Sequence, residues 1–132
     1  MMAERRFASA DEAPTGDDGG SARSVFELRR YTLPPQNREA LYARFRHSTD
    51  VIFRRLGFHV IGYWTVSAGE GEGDLVYLLR WASADARDRE WRRFADDDEW
   101  LETRARTNAE AGAMVVATHS TLLMALDFSP LT

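Results

Sequence analysis

The 132-residue chain contains neither cysteine nor lysine. Without cysteine there can be no disulfide, no thiolate metal site and no thiol nucleophile. All 17 basic residues are arginine, a bias that GC-rich codon usage explains more simply than function does. The formal net charge is −4, and the concentrated positive surface on which nucleic-acid binding rests is missing. Long apolar runs are missing too: none approaches the roughly 18 residues that crossing a bilayer requires. The first 23 residues carry five acidic side chains and no apolar core of a secretion signal, so the expected setting is cytoplasmic. No His-x-x-x-His or His/carboxylate cluster has the spacing of a metal site. Neither a nucleic acid, a membrane, a metal nor a cofactor is therefore expected as a partner.

Apolar content of 44% is enough for one modest core. Residues 1–23, rich in Ala, Asp, Gly, Ser and Glu, have little to bury and read as a disordered acidic tail. The folded domain is expected over 24–132. Val25 to Leu33 is rich in strand formers and is stopped by Pro34-Pro35. Asn37 is placed to cap a helix from Arg38 to about Leu56, in which Leu41, Phe45, Ile52 and Leu56 recur at helical spacing before Gly57. Phe58 to Val66 and Leu75 to Trp81 read as strands around a glycine-rich hairpin loop. Ser83 caps a helix carrying Trp91 and Phe94. Asp96-Asp97-Asp98-Glu99 opens a second helical piece, and a last strand runs from about Met114 to Leu126.

Two β-α-β units joined by a hairpin predict an α+β fold: a ferredoxin-like β-α-β-β-α-β domain with an antiparallel sheet and both helices on one face. The other face is then left bare. Tyr63 or Trp64, Tyr77, Leu79 and Trp81 add more large apolar surface than two helices can cover, and exposed area of that kind marks an interface. Two sheets packed face to face would make a homodimeric α+β barrel.

The residues resemble the NIPSNAP family of the dimeric α+β barrel superfamily. Phe26-Glu27-Leu28-Arg29-Arg30-Tyr31-Thr32-Leu33-Pro34 is similar to the family's opening strand. Gly57-Phe58 with Gly62-Tyr63-Trp64-Thr65, Val76 to Ser83, Asp97-Asp98-Glu99-Trp100 and Phe128-Ser129-Pro130 follow in the family's order. Tyr77 stands where many relatives have His, and Asp98 where they have Pro. The resemblance implies a dimeric barrel with a cavity of small-molecule size. Related superfamily members include cofactor-independent monooxygenases, cyclases and isomerases acting on aromatic or polyketide-like compounds. The family implies no one reaction, since fold does not set function.

Glu27, Arg29 and Tyr31 alternate along one strand and so share a face. A carboxylate, a guanidinium and a phenol in a partly apolar space could orient a carbonyl or carboxylate, with Glu27 as base if burial raised its pKa. Equally, Glu27 and Arg29 could pair as a structural network. His47 is expected to face solvent. His59, sharing a face with Ile61 and Tyr63, and His119, sharing one with Ala117 and Thr121, are candidate acid–base groups because histidine titrates near neutrality. Tyr63, Trp64, Tyr77 and Trp81 are expected to line the cavity or the dimer core. Trp91, Phe94 and Trp100 read as core contacts of the helices, and Arg44, Arg46, Arg54 and Arg55 as a solvated basic side. Two functions follow from this pattern. One is a metal-free, cofactor-independent enzyme on a small molecule; the other is a non-catalytic binding or adaptor protein that uses the barrel to dimerise.

Overall fold

Strand β1 (Val25–Thr32) pairs along both edges, antiparallel to β3 (Leu75–Trp81) on one side and to β4 (Ala117–Met124) on the other. β2 (His59–Thr65) completes the order β2-β3-β1-β4 by pairing with β3. This computed structural model describes residues 24–132. The acidic segment expected to be a tail lies outside the described residues.

Between β1 and β2 run α1 (Arg38–Arg44), a π-helical turn (Phe45–Thr49) and α2 (Asp50–Leu56). Helical spacing predicts one unbroken helix with Asn37 as its cap. The chain instead enters through a 3-10 turn led by Pro35, and the Asn37 amide donates to the Ala113 carbonyl rather than capping the helix. Gly57 closes the run at φ +87°, a left-handed conformation that costs a side chain about 1 kcal/mol. The Ser83 and Asp97 side chains cap α3 (Ala84–Ala95) and α4 (Asp98–Ala111), accepting from the amides of Ala86 and Trp100 at 3.0 Å each. Arg55 pairs with Asp97 and Glu99 near one end of α4, and Asn37 bonds Ala113 just past the other. α4 therefore lies antiparallel to the α1–α2 run. The last strand begins at Ala117, three residues later than expected.

Registration decides which face each strand residue occupies. Val25, Glu27, Arg29 and Tyr31 stand opposite Trp81, Leu79, Tyr77 and Leu75, and the latter four are all buried. Phe45 and Phe53 pack on Tyr77 at centroid distances of 5.4 and 6.1 Å, and Trp91 on Trp81 at 5.9 Å. This is the helix-covered face and the core. The opposite face carries Leu28, Leu78, Val76, Trp64 and Leu123. Leu28 is 38% exposed, Leu123 42% and Trp64 51%, so no element among the described residues covers them. A bare apolar sheet face is present as expected, but its residues differ. Tyr77, Leu79 and Trp81 are core of this chain and supply none of it.

A bulge in β2 between Val60 and Gly62 explains one further difference. Simple alternation puts His59 and Tyr63 on one face. The extra residue separates them, so that His59 stands opposite Arg80 on the bare face while Tyr63 stands opposite Tyr77 on the covered one.

Candidate functional site

At the middle of β1 the Glu27 carboxylate is fully buried between the sheet and α3. Its Oε1 accepts from Trp81 Nε1 and Trp91 Nε1, both at 2.9 Å, and from Arg87 Nε at 3.1 Å. Its Oε2 accepts from Ser120 Oγ at 2.5 Å, Arg87 Nη2 at 2.8 Å and Arg29 Nη1 at 3.0 Å. Burial alone would raise the pKa of this group. The hydrogen bonds from Arg87, Ser120, Trp91 and Arg29 outweigh that and bring it down to about 2. The carboxylate is thus ionised at neutral pH with every lone pair engaged. Such a group is a weak base and a strong anchor.

Arg29 passes the charge along the strand. Its guanidinium lies 4.3 Å from the centre of the Trp91 ring. Nε donates to Tyr77 Oη at 3.0 Å and Nη2 to Tyr31 Oη at 3.3 Å, and the two phenols share a hydrogen bond of 2.8 Å. Burial, followed by the neighbouring Tyr31, pushes the Tyr77 phenol far above its ordinary pKa. Tyr77 therefore holds its proton at neutral pH. Beside it, the Tyr63 hydroxyl donates to Asp50 Oδ1 at 2.7 Å, and Asp50 Oδ2 accepts from Arg54 Nε at 2.7 Å. Burial and this bond to Asp50 raise the Tyr63 phenol as well.

Glu27, Arg29, Tyr31, Tyr63, Tyr77 and Trp81 thus meet between the sheet and its helices. Trp64, His59 and His119 do not: they stand opposite Val76, Arg80 and Arg30 on the other face. The indole of Trp64 folds back over Gly62, where a Cβ would come within 2.8 Å of the ring. His59 borders an open cleft of about 340 Å³ together with Arg80, Trp81, Glu90 and Arg93. Burial and the charge of Arg80 lower its pKa, so it is neutral at physiological pH. His47 and His119 are exposed. Among the described residues no three of His, Asp and Glu gather as a metal site, and no helix is long and apolar enough to cross a membrane.

Sequence reasoning missed Arg87, Ser120 and Arg44, and left Trp91 as plain core. Arg87 and Trp91 are four apart on α3, one turn beyond the Ser83 cap, and this i, i+4 spacing is the signal that could have found them. Ser120 is brought in by its register opposite Arg29. Arg44, expected on a solvated side, is buried against Trp100.

An antiparallel four-stranded sheet with helices on one face and a buried polar cluster under them defines a ferredoxin-like α+β protein. The NIPSNAP family model matches residues 26–130. The chain belongs to the NIPSNAP family. Solved structures agree on the fold. A NIPSNAP family protein from Agrobacterium tumefaciens str. C58 superposes with a TM-score of 0.72 at 20% identity, covering 92% of this chain and 98% of that one. A NIPSNAP-like domain protein from Burkholderia xenovorans gives 0.71 at 22% identity, covering 82% and 90%. A second A. tumefaciens NIPSNAP family protein, of unknown function, gives 0.70 at 20% identity, covering 83% and 95%. No curated protein matches the chain.

Proposed function

We propose that this is a small-molecule-binding protein whose site lies between the sheet and the helices, at Arg29, Tyr31 and Tyr77, with Glu27 holding Arg29 and Arg87 in place. The observation that carries this reading is the Arg29–Tyr31–Tyr77 triangle, in which one guanidinium and two phenol hydroxyls converge inside an aromatic wall. Hydrogen-bond donors beside a carboxylate too weakly basic to take a proton suit an oxygen that is to be held or polarised, such as the carbonyl of an aromatic or polyketide-like compound. The catalytic form of this reading is metal-free and cofactor-independent, with cyclisation or isomerisation at a polarised carbonyl. In it Arg29 and Tyr31 stabilise developing charge, and Glu27 acts as a positioning residue rather than a base.

The bare sheet face supports a second element of the same reading, a homodimer formed face to face over Leu28, Leu78, Val76, Trp64 and Leu123. If the dimer is the whole function, the protein is an adaptor and its interior binds nothing. Native mass spectrometry of protein purified from a cytoplasmic extract separates the two. A dimer mass with a retained organic compound, lost in Arg29→Met, is the expected result. A dimer that carries no compound, with Arg29→Met altering only stability, would leave the adaptor reading standing and sink the binding one.

A further inference from the structure

Arg44 ends α1, immediately before the π-helical turn, and is only 9% exposed. Its Nη1 donates to Thr107 Oγ1 at 3.1 Å and to Asn108 Oδ1 at 3.2 Å, both neutral acceptors on α4. Its Nε is buried and has no partner. Among the described residues no carboxylate lies within ion-pair distance of it. Arg104, also on α4, acts on it as a second positive charge, and the Tyr31 phenol is near enough to interact with it electrostatically. The same phenol accepts a hydrogen bond from Arg29 Nη2 at 3.3 Å.

A buried cation is ordinarily paired, because desolvating it alone costs several kcal/mol. Glu27 answers this need for Arg29 and Arg87, through contacts of 3.0 and 2.8 Å. Among the described residues no carboxylate answers it for Arg44. The surplus sits immediately before the π-helical turn, and such turns inside α-helices are frequent at functional sites. The plain alternative is a strap: Arg44 ties α1 to α4 through Thr107 and Asn108 and stacks 5.1 Å from the Trp100 ring centre. A strap accounts for Nη1 and the ring contact. It leaves the charge and the orphaned Nε without a purpose.

We infer that the ligand of the site proposed above carries an anionic group, a carboxylate on a planar aromatic body, which lies against Tyr31 between Arg29 and Arg44. The inference rests on the binding reading and adds to it the sign of the ligand's charge and a residue, Arg44, that receives it. Tyr31 packs on Phe45 at a centroid distance of 5.9 Å, which makes the surface beside the phenol aromatic.

Calorimetric titration of the full chain with benzoate, and with benzamide as its neutral isostere at matched ionic strength, tests this directly. Benzoate should bind and benzamide should not. In Arg44→Met benzoate should bind about tenfold more weakly or worse, the loss of one charge-assisted hydrogen bond. Arg46→Met, which removes an exposed charge from the same helical run, should bind as the wild type does. The thermal midpoint of Arg44→Met should equal or exceed that of the wild type, because an unpaired buried charge has been replaced by an apolar chain of similar length. Equal benzoate affinity in wild type and Arg44→Met overturns the inference while leaving the site. So does an Arg44→Met protein that fails to fold, since Arg44 is then a strap. Retention of a neutral compound by a protein that refuses benzoate refutes the anion alone. Refusal of benzoate with no retained compound of any kind takes the binding reading with it.

Discussion

Replacing Glu27 with glutamine keeps the side-chain shape and removes one negative charge from beneath two guanidinium groups. The structure says how much this should cost. A carboxyl brought from its ordinary 4.5 to about 2 carries about 3 kcal/mol of charge-dependent stability at neutral pH. Independently, deleting one partner of a buried ion pair costs roughly 3–5 kcal/mol. Glutamine adds a second penalty, because its amide NH2 must face donors at either oxygen position: Trp81, Trp91 and Arg87 at one, Arg29, Arg87 and Ser120 at the other. A change of about 3 kcal/mol in a domain of this size lowers the thermal midpoint by on the order of 10–20 °C. The pH dependence gives the sharper test. Because the folded-state pKa is depressed, the stabilisation is fully present above the unfolded value of 4.5 and is lost as pH falls toward about 2. Circular-dichroism melts between pH 7 and pH 2.5 should show a steep loss of wild-type stability over the lower half of that range, and a flatter curve for Glu27→Gln. A midpoint for Glu27→Gln within about 2 °C of wild type at pH 7, or parallel acid limbs, would refute the anchoring role, since even 1 kcal/mol moves such a domain by several degrees.

Other expectations follow from neighbouring contacts. Tyr77→Phe removes the hydroxyl that accepts from Arg29 and bonds Tyr31, and should cost about 1–3 kcal/mol in urea denaturation. Of the four tyrosines, Tyr63 and Tyr77 have phenols raised by burial. Absorbance at alkaline pH should therefore show them ionising only when the protein unfolds, whereas Asp50→Ala should move the Tyr63 step to lower pH. Gly57→Ala meets no steric obstacle, yet φ is +87° there, so it should lose only about 1 kcal/mol. The proposed face-to-face dimer is tested by Leu28→Glu, which places a charge in the middle of the bare sheet face: sedimentation velocity should give dimer for the wild type and monomer for the variant, and the same mass for both would refute an interface there.

How much of this was legible in the residues varies with the range of the interactions involved. Alternation along Val25–Thr32 put Glu27, Arg29 and Tyr31 on one face, and the Ser83 cap, the Asp97 restart and the Gly57 stop were readable because each is decided within four residues. Local pattern also marked that one sheet face would lack cover. It could not say which face, because either half of an alternating strand can meet the helices. It also had no means to show the β2 bulge or the π-turn, which insert a residue without altering composition.

The amino-acid sequence alone was enough to establish the order of elements, the family and the three polar residues of β1, since periodicity, caps and a spread of short motifs are properties of neighbours along the chain. Folding in three dimensions settled everything that depends on register and helix placement. It brought Trp81, Arg87, Trp91 and Ser120, between 54 and 93 positions away, onto one carboxylate. It also sent His59, His119 and Trp64 to the other face and buried Arg44 with no carboxylate in ion-pair reach among the described residues. The reason is that the pKa and the role of Glu27 depend on donors assembled from three strands and a helix, and no stretch of sequence contains them all.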